Sequence, residues 1–70
     1  MTKRLSPREL QIIRLCGDGL GNKEVAERLR ISIRTVHTHV TNARLKLGAR
    51  NTAHAVFLTF VTYKQFSRYS

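Results

Sequence analysis

Apolar residues along this chain recur at helical spacing rather than alternating as in a strand. The recurrence is clearest between Asn22 and Gly48, where Val25, Ala26 and Leu29 share one face and Val36, Val40, Ala43 and Leu47 stand at i, i+4, i+7 and i+11. A stripe with that period predicts two helices, over 22–29 and 33–47, each burying one side only. Arg30 and Ile31 leave almost no loop between them. Ser32 is placed to cap the second helix by accepting from the exposed N–H groups of its first turn. Ile31 before that cap and Val36 four residues after it form a hydrophobic staple that fixes the entry angle of the chain. A short turn with a fixed angle is the geometry of a helix-turn-helix.

The flanking segments extend the same pattern. Ser6, Pro7 and Glu9 supply a cap, a proline at the first helical position and a glutamate at the third, which predicts a helix over 7–17 ended by Gly17, Asp18 and Gly19. Leu5 and Leu10 staple it, and Leu10, Ile12, Ile13 and Cys16 face its core. Asn51 or Thr52 caps a fourth helix, over 52–65. This segment differs from the others, because Ala55, Val56, Phe57, Leu58, Phe60, Val61 and Tyr63 are apolar nearly all round. Either another chain covers the surplus, or the segment is partly a strand, given its Val, Thr, Phe and Tyr. The helix with a self-association face is the favoured reading, with Phe57, Leu58 and Val61 as dimer-interface candidates. The expected fold is all-α, a four-helix domain spanning 1–70.

Charge adds a direction. The 70 residues carry a formal charge of +9, unevenly spread. All four acids lie in the first 27 residues, whereas the stretch from Arg28 to Ser70 holds eight basic residues and no acid. A basic surface without internal neutralisation favours a polyanion, through counterion release and long-range attraction. So small a chain rests on one modest core and leaves little room for a deep catalytic pocket.

At this point the residues resemble the LuxR-type, or GerE-like, DNA-binding domains of bacterial quorum-sensing regulators and response regulators. LSPRE at Leu5 to Glu9 resembles the opening signature, GLGNKEVAERL at Gly19 to Leu29 the scaffold helix, and ISIRTVHTHVTNARLKLGAR at Ile31 to Arg50 the recognition helix and its following turn. Together these are specific, where any one alone would be weak. The resemblance implies a four-helix fold, a recognition helix in the major groove of double-stranded DNA, and a homodimer through the fourth helix. It implies that His37, Thr38 and Thr41 meet base edges, and that Asn22, Lys23, Thr35 and Lys46 meet the phosphate backbone. Helix geometry independently puts Arg34, Thr38, Thr41 and Asn42 opposite the apolar stripe, with His37 and Arg44 on its shoulder. Arg34 therefore joins the base-contact candidates, and the shared helix-turn-helix context adds Arg44 and Arg50 to the phosphate-contact ones. RNA polymerase is a further candidate partner of such an output domain.

Two positions depart from the family pattern. Gly21 stands where a Ser or Thr often caps the scaffold helix, a loss of only a few tenths of a kcal/mol. His37, Thr38 and Thr41 lack the long basic side chain that relatives often carry, so thymine-edge or water-mediated reading gains weight over bidentate reading of guanine.

The remaining chemistry is bland. His37 and His39 point in nearly opposite directions on one helix and cannot share a metal. His39 reads as structural and His54 as a solvated residue. No acid accompanies a histidine after Glu27, so nucleophilic catalysis has no base or orienting group. Neither an enzyme nor a cofactor is expected. Cys16 is expected to be a small buried hydrophobe. With no long apolar run and no charged-then-apolar leader, the expected compartment is the cytoplasm and no membrane partner is expected. The rival readings are a protein-interaction module of the same type that heterodimerises with and inhibits a full-length regulator, and a helix-turn-helix of a sigma factor or recombinase.

Overall fold

Local hydrogen bonding sets the ends of each helix. In the computed structural model, which describes residues 4–62, four helices run over Pro7–Gly17 (α1), Asn22–Leu29 (α2), Ile33–Leu47 (α3) and Thr52–Thr62 (α4), with no strand among the described residues. The Ser6 hydroxyl accepts from the Glu9 N–H at 3.1 Å while the Ser6 N–H donates to Glu9 Oε1 at 2.8 Å, a reciprocal capping box. At α2 the cap is Gly21, which has no side chain to offer, yet its N–H still donates to Glu24 Oε1 at 2.9 Å. Ser32 accepts from the Thr35 N–H at 3.0 Å. Asn51 caps α4, its Oδ1 accepting from the His54 N–H at 2.8 Å.

The first three helices all end the same way. Beyond α1, Leu20 N–H donates to Leu15 C=O at 3.2 Å and Gly19 N–H to Cys16 C=O at 3.0 Å. Beyond α2, Ile31 donates to Ala26 at 3.0 Å and Arg30 to Glu27 at 3.3 Å. Beyond α3, Ala49 donates to Arg44 at 2.9 Å and Gly48 to Leu45 at 3.3 Å. Each is a Schellman motif, which needs one residue in the left-handed region followed by an apolar one. Gly19 (φ 97°) and Gly48 (φ 68°) meet that need without strain, but at the helix-turn-helix the residue is Arg30 (φ 58°). Its Cβ makes that conformation cost roughly 1 kcal/mol more than glycine would.

Two linked clusters form the core. Ile12, Val25, Ala26, Val36 and Val40 join α1, α2 and α3, with Leu15, Cys16, Leu20, Leu29 and Ile31 packed around them. Leu5, Ile13, Ala43 and Ala55 join α1, α3 and α4, with Leu10, Leu47, Ala49 and Val56 around them. The stripe on α3 thus feeds both clusters and sets the angle of its outer face. Cys16 is half-buried rather than fully buried, and that burial pushes its thiol up from the ordinary value.

Part of α4 departs from the expectation. The alternative of a partial strand fails, since residues 52–62 are helical. Its inner face is made of Ala55 and Thr59 rather than of its large side chains. Phe57, Phe60 and Val61 are 60%, 61% and 49% exposed. The expected continuation of this helix over Tyr63 to Gln65 lies outside the described residues. No helix among the described residues is long and apolar enough to cross a membrane.

Candidate nucleic-acid interface

The interface is built outward from the α3 stripe. With Val36, Val40 and Ala43 buried, a helix with a period near 3.6 must turn its intervening residues to solvent. Arg34, His37, Thr38 and Asn42 are accordingly exposed and Thr41 half-buried. The first turn of α3 contains no acid, so the positive end of the helix dipole and the Arg34 guanidinium reinforce one another. Three of the four base-contact candidates, Arg34, His37 and Thr38, stand together on the first two turns, and Thr41 follows one turn on.

The phosphate-contact candidates fall into two groups. Lys23, in the first turn of α2, and Arg50, in the turn before α4, are exposed, and Asn22 is half-buried at the start of α2. The other three are already engaged within the domain. Lys46 Nζ donates to Glu9 Oε1 at 2.8 Å, tying the end of α3 to the start of α1. Arg44 Nη2 donates to the Arg50 carbonyl at 3.3 Å. The Thr35 hydroxyl shares a 2.8 Å hydrogen bond with that of Ser32. Sequence reasoning missed the Lys46–Glu9 pair, whose partners are 37 residues apart. The available signal was Glu9 itself, since a carboxylate on the core side of a capped helix calls for a cation.

Glu9 is 5% exposed. Burial alone pushes its carboxyl up, but the hydrogen bond and charge of Lys46, together with the Ser6 backbone and hydroxyl, outweigh that and hold it below the ordinary value. The pair therefore locks the far end of α3 while the near end stays free.

The other histidines divide by environment. His39 is half-buried, with Nδ1 shielded from solvent and unpartnered, a placement toward the domain rather than outward. His54 is not the solvated residue expected. It is half-buried, and its Nδ1 accepts from the Arg50 N–H at 3.0 Å. The residue thus does at α4 what Glu9 and Glu24 do at α1 and α2, accepting an N–H at the helix entrance. Of the dimer-interface candidates, Phe57 and Val61 are exposed and Leu58 is half-buried. Sequence reasoning left out Phe60, which shares their exposure, and also the exposed Ile33 and Leu45 of α3, 51% and 73% accessible.

A free outer face on a recognition-type helix, clamped behind by a capped scaffold helix, matches one known family. The model of the bacterial regulatory proteins of the luxR family (GerE) covers residues 3–59. The chain belongs to the LuxR family. It is 49% identical over 49 residues to the oxygen regulatory protein NreC of Staphylococcus aureus, an alignment covering 70% of this chain and 23% of that protein. The structure of the transcription factor GerE superposes with a TM-score of 0.79 at 28% identity, covering 86% of this chain and 91% of that one. The response regulator ChrA, from a heme-sensing two-component system, superposes with a TM-score of 0.80 at 32% identity, covering 94% of this chain and 32% of that one. This LuxR-family domain therefore corresponds to nearly the whole of GerE but to about a quarter of NreC and a third of ChrA. It is a helix-turn-helix domain of the kind that transcriptional regulators use to bind DNA.

Proposed function

We propose that this domain is the output module of a bacterial transcriptional regulator, acting in the cytoplasm and binding double-stranded DNA in a sequence-specific way. The observation that carries the reading is the outer face of α3, where Arg34, His37 and Thr38 are exposed together opposite a filled apolar stripe. The start of α3 enters the major groove and reads base edges, while Lys23, Arg50 and Asn22 hold the phosphates on either side. The exposed Phe57, Phe60 and Val61 of α4, with Leu58 beneath them, support a homodimer on a roughly two-fold symmetric site.

Selection from random duplex DNA, followed by salt titration on the enriched sequence, tests this directly. The expected result is a roughly palindromic motif whose affinity falls steeply with salt. His37→Ala and Thr41→Ala are expected to change base preference, whereas Lys23→Ala weakens all sequences alike and flattens the salt slope by about one. No enrichment together with a flat salt response would exclude the reading and favour a protein-interaction module.

A further inference from the structure

The leading end of α3 carries one large apolar side chain that the core does not use. Ile33 is the first residue of the helix and is 51% exposed. Its neighbour Ile31, not Ile33, packs against the core cluster. Around Ile33 the polar groups of the helix start are closed on themselves, because the Ser32 hydroxyl accepts from the Thr35 N–H and shares a hydrogen bond with the Thr35 hydroxyl. What this end presents outward is therefore Ile33 and Arg34, with His37 and Thr38 one turn behind. Residues four apart are neighbours on a helix, so Ile33 adjoins His37 and Arg34 adjoins Thr38. Side chains on a helix also lean toward its N-terminus, which carries a first-turn side chain beyond the end of the backbone.

We propose that Ile33 is a specificity-determining residue that packs against the 5-methyl group of a thymine in the major groove, next to the base edge met by Arg34. The inference rests on the DNA-binding reading above. In the major groove thymine alone presents a methyl group, and an apolar side chain distinguishes it from cytosine by contact rather than by hydrogen bonding. A β-branched side chain suits this role because it is stiff and loses little freedom on binding. The same contact gives the exposed isoleucine an apolar partner in the complex.

Uracil in place of thymine removes the methyl and keeps every hydrogen-bonding group, so it isolates the contact. On the selected duplex, each thymine of a half-site is replaced in turn by uracil, and affinities are measured for the wild-type domain and for Ile33→Ala, Ile33→Val and Thr38→Ser. One thymine is expected to matter to the wild type, with a loss of about three- to fivefold on removal of its methyl. That discrimination disappears in Ile33→Ala and survives mostly in Ile33→Val, and it persists at the same thymine in Thr38→Ser, which lacks the Thr38 methyl, whatever that substitution does to overall affinity. Unchanged melting of Ile33→Ala shows that the loss is one of recognition, as expected at an exposed position with a better helix former. Equal binding of thymine and uracil duplexes by the wild type, or discrimination that Ile33→Ala retains and Thr38→Ser abolishes, overturns the assignment while leaving DNA binding intact. Absence of sequence-dependent duplex binding overturns both readings.

Discussion

Helices α3 and α4 pack side by side in one small bundle but divide their surfaces in opposite ways. On α3 Val36 and Val40 point inward with Ala43, and the outer face is mostly polar and basic, with Ile33 and Leu45 as its exposed apolar residues. On α4 the inner face is Ala55 and Thr59, and Phe57, Phe60 and Val61 point outward. The first arrangement is that of a helix held by its own domain and presenting chemistry to a polar partner. The second is that of a helix held by small residues, with its large apolar groups left exposed, the surface on which the proposed homodimer rests. Apolar content alone therefore says little about which helix builds the core.

The comparison is broken most severely at its buried stripe. Val36→Asp places an unpaired carboxylate at a fully buried site, and the expected loss of about 3–5 kcal/mol is most of what so small a domain has. Circular dichroism should show no cooperative melting. Phe57→Ser and Val61→Ser on the exposed face should instead keep the monomer's stability to within about 0.5 kcal/mol and shift sedimentation from dimer toward monomer. Equal damage from both kinds of substitution would erase the distinction between the helices.

A middle-sized effect is expected at the pair that fixes the far end of α3. Lys46→Ala leaves the buried Glu9 carboxylate without its cation, at an expected cost of about 1–3 kcal/mol. The folded domain holds the Glu9 carboxyl below its ordinary value, so its contribution is present above the unfolded-state value of about 4.3 and is lost as pH falls through the lower folded value. Wild-type melting should therefore drop with acid from about pH 5 downward, and Glu9→Gln should flatten part of that drop. A Glu9→Gln profile parallel to the wild type would remove Glu9 from the account of acid stability.

The smallest effect sharpens the comparison at the entrance to α3. Arg30 holds the left-handed position that Gly19 and Gly48 hold at the other two helix ends. Arg30→Gly should raise stability by about 0.5–1 kcal/mol, partly offset by the freedom glycine gains in the unfolded chain. A loss of stability in denaturant titration would mean that the Arg30 side chain contributes more than its backbone strain costs.

Much of this was legible beforehand because it is local. Ser6 with Glu9, Ser32, and Gly19 and Gly48 mark helix ends through bonds that span three to five residues, and the stripe from Val36 to Leu47 follows from the helical period alone. The exposed set on α3 was legible for the same reason, since knowing the buried side fixes the exposed one. The engagement of Lys46 was not, because it depends on where Glu9, 37 residues away in the chain, lies once the helices have packed. His54 was misread because a histidine at the third helical position carries no capping signature comparable to that of Glu9. Arg30 was equally silent, because an arginine gives no hint of a left-handed backbone.

By itself the sequence determined the four helices, their caps, the acid-free basic half and the family, all of which rest on spacing and residue type. The tertiary structure decided which apolar residues are surplus and which cations are free. Exposure and pairing are properties of packed surfaces, and they depend on how α1, α3 and α4 approach one another. Packing turned Phe57, Phe60 and Val61 outward, took Lys46 for Glu9, and left Ile33 exposed at the leading end of α3.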